Sequence, residues 1–291
     1  MKLPNIKKVS YPESTAEAVA ILSDEKRNAV PLSGGVSFIF ASTAGVEELV
    51  CLNRLPLRYI KKKNGGLLVG ATTLVSELVE AGAVGSYADG ILREAARRVG
   101  STLNRNLITV GGSLVQPFIW SDLPAVALAM GAKIRIQGKK SRTIDAEKFY
   151  ARPPRQLLKG GDLVTEVLFP APPPGSRAAY RKFALTENDF AILKVAILLS
   201  RRKRLCREIT VAVGGATVLP QRTPMAEAAL RGKQASQVLV NEASELAAEE
   251  IKVSRDMRCS NDYKRELCRV MVRAILEEIL LDQKVAEWKL F

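Results

Sequence analysis

The chain has 291 residues, of which 47% are hydrophobic and 25% are charged. This length exceeds that of a usual single domain and the composition supports a large buried core, so we expect two or three globular domains and exclude extensive disorder. The formal net charge is +14 and the chain contains no histidine, which excludes a histidine general base and a Ser-His or Cys-His nucleophile pair. Any catalysis should therefore come from a bound cofactor.

Charge, cysteine content and apolar content further limit the classes of protein to which this chain could belong. Basic clusters at 61–63, 97–98 and 201–204 suit an anionic partner. Because no zinc-finger, KH or RRM signature is present, solvated faces and acidic partner subunits are favoured over nucleic acid. The four scattered cysteines form no C-x-x-C pair and are interpreted as buried structural thiols. No run approaches the roughly 20 apolar residues of a membrane span, and no signal peptide is recognisable, so a cytoplasmic location is expected.

The first elements along the chain are short. The capping-box pattern Ser14-x-x-Glu17 predicts a surface helix at 14–22. The apolar segment 29–32 predicts a strand that runs into a glycine loop at 33–38. Lys63-Asn64-Gly65-Gly66, between two extended segments, predicts a β-hairpin.

The middle of the chain mixes helices with a second glycine loop. Helical spacing is found from 75 to 85 and from 91 to 99. A loop is predicted at 109–113, and the segment 121–124 predicts a helix start with a proline in its first turn. The segment 133–137 alternates as a strand.

The proline-rich segment 170–175 indicates a domain boundary. Beyond it come an apolar segment at 190–199, a charged turn and a strand at 208–213. Helices are predicted at 223–230 and 262–281. This order is typical of a compact α+β domain.

The two glycine loops are candidates for anion binding. Adjacent glycines let backbone N–H groups approach an anion closely, because neither residue has a Cβ and both tolerate positive φ. Two such loops, each with hydroxyl side chains, could cradle a pyrophosphate from two sides. Neither matches a Walker or Rossmann pattern, and a tight turn between strands is the alternative for each. A third pair, Gly214-Gly215, predicts close backbone packing.

Three segments, 32–38, 105–124 and 214–232, carry a family resemblance. The most specific motif is Arg105-Asn106-Leu107-Ile108-Thr109-Val110-Gly111-Gly112-Ser113, followed by Asp122. In these motifs and in their order the chain resembles the FAD-binding medium subunit of the xanthine dehydrogenase and carbon monoxide dehydrogenase family, over nearly its whole length.

The resemblance implies a fold and a domain organisation. The expected class is α+β, with a two-subdomain FAD-binding domain of the PCMH type followed by a C-terminal α+β domain with a small antiparallel sheet. The implied bounds are 1–56 and 57–172 for the FAD-binding subdomains and 176–291 for the C-terminal domain.

The resemblance also implies which residues contact non-covalently bound FAD. The glycine loops would wrap the pyrophosphate, and Asp122 would accept a hydrogen bond from a cofactor hydroxyl. Val164 would contact the adenine side through its backbone, and Lys182 and Val99 would lie at the flavin ring. The alternatives are a helix N-cap for Asp122, a surface lysine for Lys182 and helix core for Val99. The implied set, with no catalytic residue or metal ligand, is Leu32, Ser33, Gly34, Gly35, Val36, Ser37, Phe38, Val99, Thr109, Val110, Gly111, Gly112, Ser113, Asp122, Val164 and Lys182.

The chain also departs from the family pattern. Val36, Phe38 and Ser113 differ from the residues that relatives often carry, and Thr186-Glu187 replaces an arginine pair of xanthine dehydrogenases. These changes weaken any assignment to xanthine itself. The spacing of the cysteines suits no iron-sulfur cluster.

The family implies that molybdopterin lies on a large partner subunit and a [2Fe-2S] cluster on a small one. Electrons would pass from the cluster through FAD to NAD or another acceptor, so this chain would be the electron-transfer subunit. One alternative is a stand-alone FAD oxidoreductase of the same cofactor-binding fold, such as an oxidase or an enolpyruvyl reductase, with Tyr180 or Glu187 as its acid or base. The other is a basic, non-catalytic scaffold or nucleic-acid protein.

Overall fold

The computed structural model describes residues 5–40, 44–255 and 257–284. The outer ends of the first and last predicted domains, 1–4 and 285–291, lie outside the described residues. The strands are β1 (Lys8–Ser10), β2 (Ala29–Leu32), β3 (Glu48–Cys51), β4 (Ile60–Lys63), β5 (Gly66–Gly70), β6 (Lys133–Gln137), β7 (Arg142–Asp145), β8 (Leu163–Phe169), β9 (Ser176–Phe183), β10 (Leu193–Arg202), β11 (Leu205–Gly214) and β12 (Gln221–Arg222). The α-helices are α1 (Thr15–Ser23), α2 (Val75–Glu80), α3 (Gly82–Gly85), α4 (Ile91–Arg97), α5 (Thr102–Arg105), α6 (Val110–Val115), α7 (Leu123–Ala129), α8 (Ala146–Tyr150), α9 (Pro154–Leu157), α10 (Pro224–Leu230), α11 (Gln237–Glu250) and α12 (Asn261–Leu281).

The first sheet is parallel and has the order β1-β3-β2. Helix α1 lies beside it and buries Ala18, Ile21 and Leu22 against a small apolar core. The predicted cap is present, because Ser14 Oγ accepts a hydrogen bond from the Glu17 N–H at 3.1 Å. The predicted helix and the strand that follows it are confirmed.

The second sheet has the order β4-β5-β8-β6-β7, and its neighbouring strands are antiparallel. The predicted hairpin joins β4 to β5, and both Asn64 and Gly65 have positive φ, as a two-residue hairpin turn requires. The single helix predicted at 75–85 was wrong, since Ala81 is extended and divides it into α2 and α3. Gly82 and Gly85 lie within this segment and weaken a continuous helix.

The third sheet is antiparallel, with the order β12-β11-β10-β9. One face packs against α10, α11 and α12, and the other faces α7 and the core of the second sheet. Because side chains alternate along a strand, Tyr180 on β9, Ala196 on β10 and Ala212 on β11 all point towards α7. The predicted α+β architecture with a small antiparallel C-terminal sheet is confirmed, although β9 and α11 were not predicted.

None of the helices in the described part of the chain is both long enough and apolar enough to cross a bilayer.

Candidate functional site

A cavity of about 650 Å³ lies where the three sheet regions meet. Val110 does not line it, because this side chain is buried in the core and its N–H donates to the Thr73 carbonyl at 2.9 Å. The other predicted contact residues all line the cavity, namely Leu32, Ser33, Gly34, Gly35, Val36, Ser37, Phe38, Val99, Thr109, Gly111, Gly112, Ser113, Asp122, Val164 and Lys182.

The first glycine segment follows β2 and offers backbone donors to the cavity. A Cβ on Gly34 would stand 1.7 Å from the Leu107 carbonyl oxygen, and Gly35 has a φ of +73°. Both positions therefore favour glycine. The N–H groups of Gly34, Gly35, Val36 and Ser37 donate to no acceptor among the described residues. A run of unpaired N–H groups beside a left-handed residue forms a concavity that binds anions.

The second glycine segment was predicted as a loop, and this prediction was wrong: it forms the first turn of α6. Thr109 is the N-cap, and its hydroxyl accepts a hydrogen bond from the Gly112 N–H at 3.3 Å. The absence of a side chain at Gly111 allows tight packing, because a Cβ there would stand 2.7 Å from the Ala71 Cβ. At Gly112 a Cβ would meet only the Thr109 hydroxyl, at 2.9 Å.

Arg105, the first residue of the specific motif, holds the end of α4 in place. Its guanidinium donates to the carbonyl oxygens of Arg97, Val99 and Gly100 at 3.0, 3.1 and 2.7 Å. These bonds satisfy carbonyls that the helix leaves without partners. Val99 is 9% exposed and lines the cavity immediately after that helix end. Arg105 belongs to the motif but was not predicted to contact the cofactor. Its hydrogen bonds position the residues around Val99.

Asp122 is 3% exposed and lines the cavity at the N-terminus of α7. It occupies the N-cap position, but its side chain makes no capping hydrogen bond. Its Oδ1 instead accepts a hydrogen bond from the Tyr180 hydroxyl at 2.5 Å. Burial, together with the neighbouring carboxylate, raises the pKa of Tyr180 far above its ordinary range. The phenol therefore remains a donor, and the C-terminal sheet holds the Asp122 carboxylate.

Lys182 lies on β9, two residues beyond Tyr180. Its Nζ donates to the Arg98 carbonyl at 2.7 Å and stands 3.9 Å from Asp122 Oδ2. Its side chain is only 4% exposed, so the surface-lysine alternative was wrong. Burial lowers the pKa of Lys182, and the Asp122 carboxylate opposes that shift.

A second lysine, Lys194, was not predicted and is 1% exposed. It lies opposite Lys182 on the neighbouring strand β10. Its Nζ donates to the carbonyl oxygens of Ile119 and Ser121 at 3.1 and 2.6 Å. Burial lowers its pKa to about 8, although the Asp122 carboxylate acts in the opposite direction. The sequence feature that could have identified Lys194 is its position as the one charged residue in the otherwise apolar segment 190–199.

Three aromatic rings stack along one wall of the cavity. The centroid of the Trp120 ring lies 4.8 Å from that of Phe118 and 4.5 Å from that of Phe190. Phe118 and Trp120 belong to the segment between α6 and α7, whereas Phe190 belongs to the β9–β10 loop. Arg258 holds this second loop, donating to the carbonyl oxygens of Phe190 and Ala191 at 2.8 and 3.2 Å. The stack therefore joins the two regions of the chain across the cavity wall.

The turn before β8 forms a further wall of the cavity. Asp162 accepts two hydrogen bonds from the Arg142 guanidinium, at 2.9 and 2.6 Å, and one from the Lys159 N–H at 2.8 Å. The bonds from Arg142 hold the pKa of Asp162 below its ordinary value. Val164 follows on β8, is 4% exposed and lines the cavity.

Comparison with known proteins finds relatives that match most of the chain. The chain is 28% identical to the glyceraldehyde dehydrogenase medium chain of Sulfolobus acidocaldarius, over 92% of this chain and 96% of that protein. It is 27% identical to the nicotine 6-hydroxylase medium subunit of Paenarthrobacter nicotinovorans, over 96% of this chain and 98% of that protein. A solved structure of carbon monoxide dehydrogenase from Hydrogenophaga pseudoflava matches with a TM-score of 0.87 and 28% identity, covering 94% of this chain and 96% of that one.

Two domain families match the chain in sequence. Residues 5–172 match the FAD binding domain in molybdopterin dehydrogenase, and residues 178–279 match the CO dehydrogenase flavoprotein C-terminal domain. Together with the predicted motifs and the geometry of the cavity, these matches show that the chain belongs to the FAD-binding medium-chain family of the molybdenum hydroxylases.

Proposed function

We propose that this chain is the flavin relay of a larger complex. FAD bound in the cavity would receive electrons from a small [2Fe-2S] subunit, and NAD or another acceptor would take them up. Substrate would be hydroxylated on a large molybdopterin-binding subunit. The observation that carries this proposal is the meeting of the two glycine segments at one cavity, where Gly34 packs directly on Leu107 of the family motif.

The residues around the cavity fit an FAD molecule. The volume of about 650 Å³ falls within the range of small-molecule sites. The N–H groups from Gly34 to Ser37 supply donors for phosphate oxygens without adding charge. Ser33 Oγ beside them is buried and has no hydrogen-bond partner among the described residues. An unsatisfied buried hydroxyl next to such donors is typical of a binding site whose polar ligand would supply the missing hydrogen bond.

Bound FAD would supply redox chemistry that no side chain of this protein provides. The protein would bind and orient it. Gly34 to Ser37 and the first turn of α6 would hold the pyrophosphate. Asp122 would accept a hydrogen bond from a cofactor hydroxyl, using carboxylate lone pairs that are not engaged by the Tyr180 hydroxyl. The positive charge of Lys182 would favour the anionic form of the reduced ring. Val99 and Val164 would provide apolar walls.

The relay is favoured over a stand-alone oxidoreductase by the state of the two candidate acid-base residues. Tyr180 already donates to Asp122, and its pKa is raised far above the neutral range. Glu187 is exposed in the β9–β10 loop. Neither side chain lines the cavity, so neither is placed to transfer a proton to a ligand bound there. The medium chains and subunits among the relatives also carry names of parts of larger enzymes.

Purification of the native complex through a tag on this chain tests the proposal. We expect flavin, molybdenum, iron and acid-labile sulfide to co-purify with two further subunits. Anaerobic addition of reduced [2Fe-2S] subunit should bleach the flavin, and added NAD should restore its absorbance if NAD is the acceptor. Recovery of this chain alone as a flavin enzyme with its own substrate turnover would instead favour the stand-alone alternative.

A further inference from the structure

We propose that Lys194 is a positioning residue for the cofactor site. From the C-terminal sheet it holds the backbone segment 116–122, which carries Trp120 and Asp122 into the cavity. The prediction for flavin affinity rests on the proposed function. The prediction for the position of Trp120 does not.

The segment 116–122 connects α6 to α7 and contains no regular secondary structure. Two backbone hydrogen bonds between its described residues are local turns, from Phe118 N–H to the Gln116 carbonyl and from Ser121 N–H to the Phe118 carbonyl, both at 2.8 Å. Lys194 adds two long-range bonds, at 3.1 and 2.6 Å, to the carbonyls of Ile119 and Ser121. These carbonyls flank Trp120 directly. The ammonium group therefore fixes the backbone on both sides of the central ring of the aromatic stack.

The sheet is shaped to admit this lysine. Lys194 pairs with Gly214 across β10 and β11, and a Cβ on Gly214 would stand only 3.2 Å from Lys194 Cε. Close backbone packing was predicted for Gly214, but this glycine instead leaves the space through which the Lys194 stem runs. Burying an ammonium group is costly unless its hydrogen bonds are made. Two carbonyls and the nearby Asp122 carboxylate provide that compensation.

Three side chains on one face of the C-terminal sheet act on the same short segment. Tyr180 donates to Asp122, Lys182 lies 3.9 Å from it, and Lys194 holds the two carbonyls before it. The domain that follows the FAD-binding domain therefore shapes the cavity wall. Through Lys194 it sets the position of Trp120 between Phe118 and Phe190, and the position of the Asp122 carboxylate.

The test compares Lys194→Met with Lys264→Met. Lys264 is a matched control because it is also fully buried in the C-terminal domain, and its Nζ donates to the Ser254 carbonyl at 2.8 Å. Both variants are made in a Trp288→Phe background, which leaves Trp120 as the one tryptophan of the chain. Both should lower the melting temperature. In the protein without FAD, only Lys194→Met should increase acrylamide quenching of Trp120 fluorescence, by at least about twofold, because the ring leaves its stack.

With FAD added, Lys194→Met should weaken binding by about tenfold or more, whereas Lys264→Met should bind as the parent does. A double-mutant cycle with Asp122→Ala should be non-additive, because both changes act on one segment. Gly214→Ala provides a milder variant that keeps the lysine and displaces its stem. It should change Trp120 quenching in the same direction.

Unchanged Trp120 quenching in both Lys194→Met and Gly214→Ala would overturn the inference. Equal effects of the Lys194 and Lys264 variants on quenching would also overturn it, since they would show only a general loss of stability. If the parent protein takes up no FAD at all, the proposed function fails. The quenching comparison still decides the role of Lys194 in that case.

Discussion

The Tyr180 hydroxyl donates to Asp122 Oδ1 at 2.5 Å and so joins the C-terminal sheet to the cavity of the FAD-binding domain. Tyr180 is 1% exposed and Asp122 is 3% exposed. A hydrogen bond to a buried carboxylate is among the stronger polar interactions in a protein, because the charge has little water to solvate it. The orientation of Asp122 is therefore set before any ligand arrives.

Replacing Tyr180 with Phe should lower the free energy of unfolding by about 1.5–3 kcal/mol, because the carboxylate loses its closest donor. FAD affinity should fall by about tenfold, since Asp122 is no longer held. Tyr150→Phe is the control, because Tyr150 is also buried and its hydroxyl makes one long hydrogen bond, 3.4 Å, to the Leu114 carbonyl. Urea denaturation and flavin titration of the two variants measure both effects. Equal FAD affinity in the two variants would argue against a binding role for Asp122.

Gly34→Ala should abolish or strongly reduce FAD uptake. The added methyl would stand 1.7 Å from the Leu107 carbonyl oxygen, so the first glycine segment must move away from the connection between α5 and α6. Gly82→Ala is the matched change, because a Cβ there meets nothing within 4 Å. The second variant should bind FAD normally and be as stable as the parent protein, or more so. FAD retention after gel filtration distinguishes them, and normal retention by Gly34→Ala would mean that this contact does not shape the site.

Arg105→Lys should lower both stability and FAD affinity, because a single ammonium group cannot replace a guanidinium that donates to three carbonyls and the Thr102 hydroxyl. The control is Arg265→Lys, since Arg265 donates to the carbonyls of Ala248 and Glu249 far from the cavity in sequence. We expect both variants to lose about 1–3 kcal/mol of unfolding free energy. Only Arg105→Lys should also weaken FAD binding by more than about fivefold. Loss of affinity in both variants would point to a general effect on folding.

The low pKa of Lys194 predicts a defined pH dependence of stability. Burial lowers this pKa from 10.5 to about 8 in the folded protein. Between these values the unfolded chain holds a proton that the folded chain has released, so the free energy of unfolding rises with pH. Relative to Lys194→Met, the wild-type protein should therefore gain roughly 1–3 kcal/mol between pH 8 and pH 10. A difference that stays flat across this range would show that Lys194 keeps its ordinary pKa.

Local sequence patterns correctly predicted the elements that depend on interactions between residues close in sequence. The Ser14 cap and the turn at Asn64 and Gly65 depend on neighbouring residues, and both were confirmed. The second glycine segment was predicted as a loop, and two glycines do disfavour a helix on local propensity alone. The Thr109 cap and the contact of Gly111 with Ala71, distant in sequence, make it a helix start.

The site was predicted less completely than the fold, for a physical reason. The resemblance to the family identified fifteen residues that line the cavity. It indicated neither Lys194 nor the positioning role of Arg105, which is part of the motif. Lys194 and Arg105 bind backbone carbonyls, and the choice of carbonyl depends on how α4, α7 and β10 pack. The domain bounds at 56, 172 and 176 remain predictions.

Titration of the purified chain with FAD, with ADP as a competitor, shows whether the two glycine segments form the cofactor site. If the two glycine segments hold a pyrophosphate in this cavity, each chain should bind one FAD with the visible absorbance of oxidised flavin. ADP, which carries the same pyrophosphate, should displace it, and Gly34→Ala should bind neither ligand. A chain that is colourless once unbound FAD has been removed would contradict FAD binding in this cavity. So would a chain whose bound FAD is unaffected both by ADP and by the Gly34 substitution.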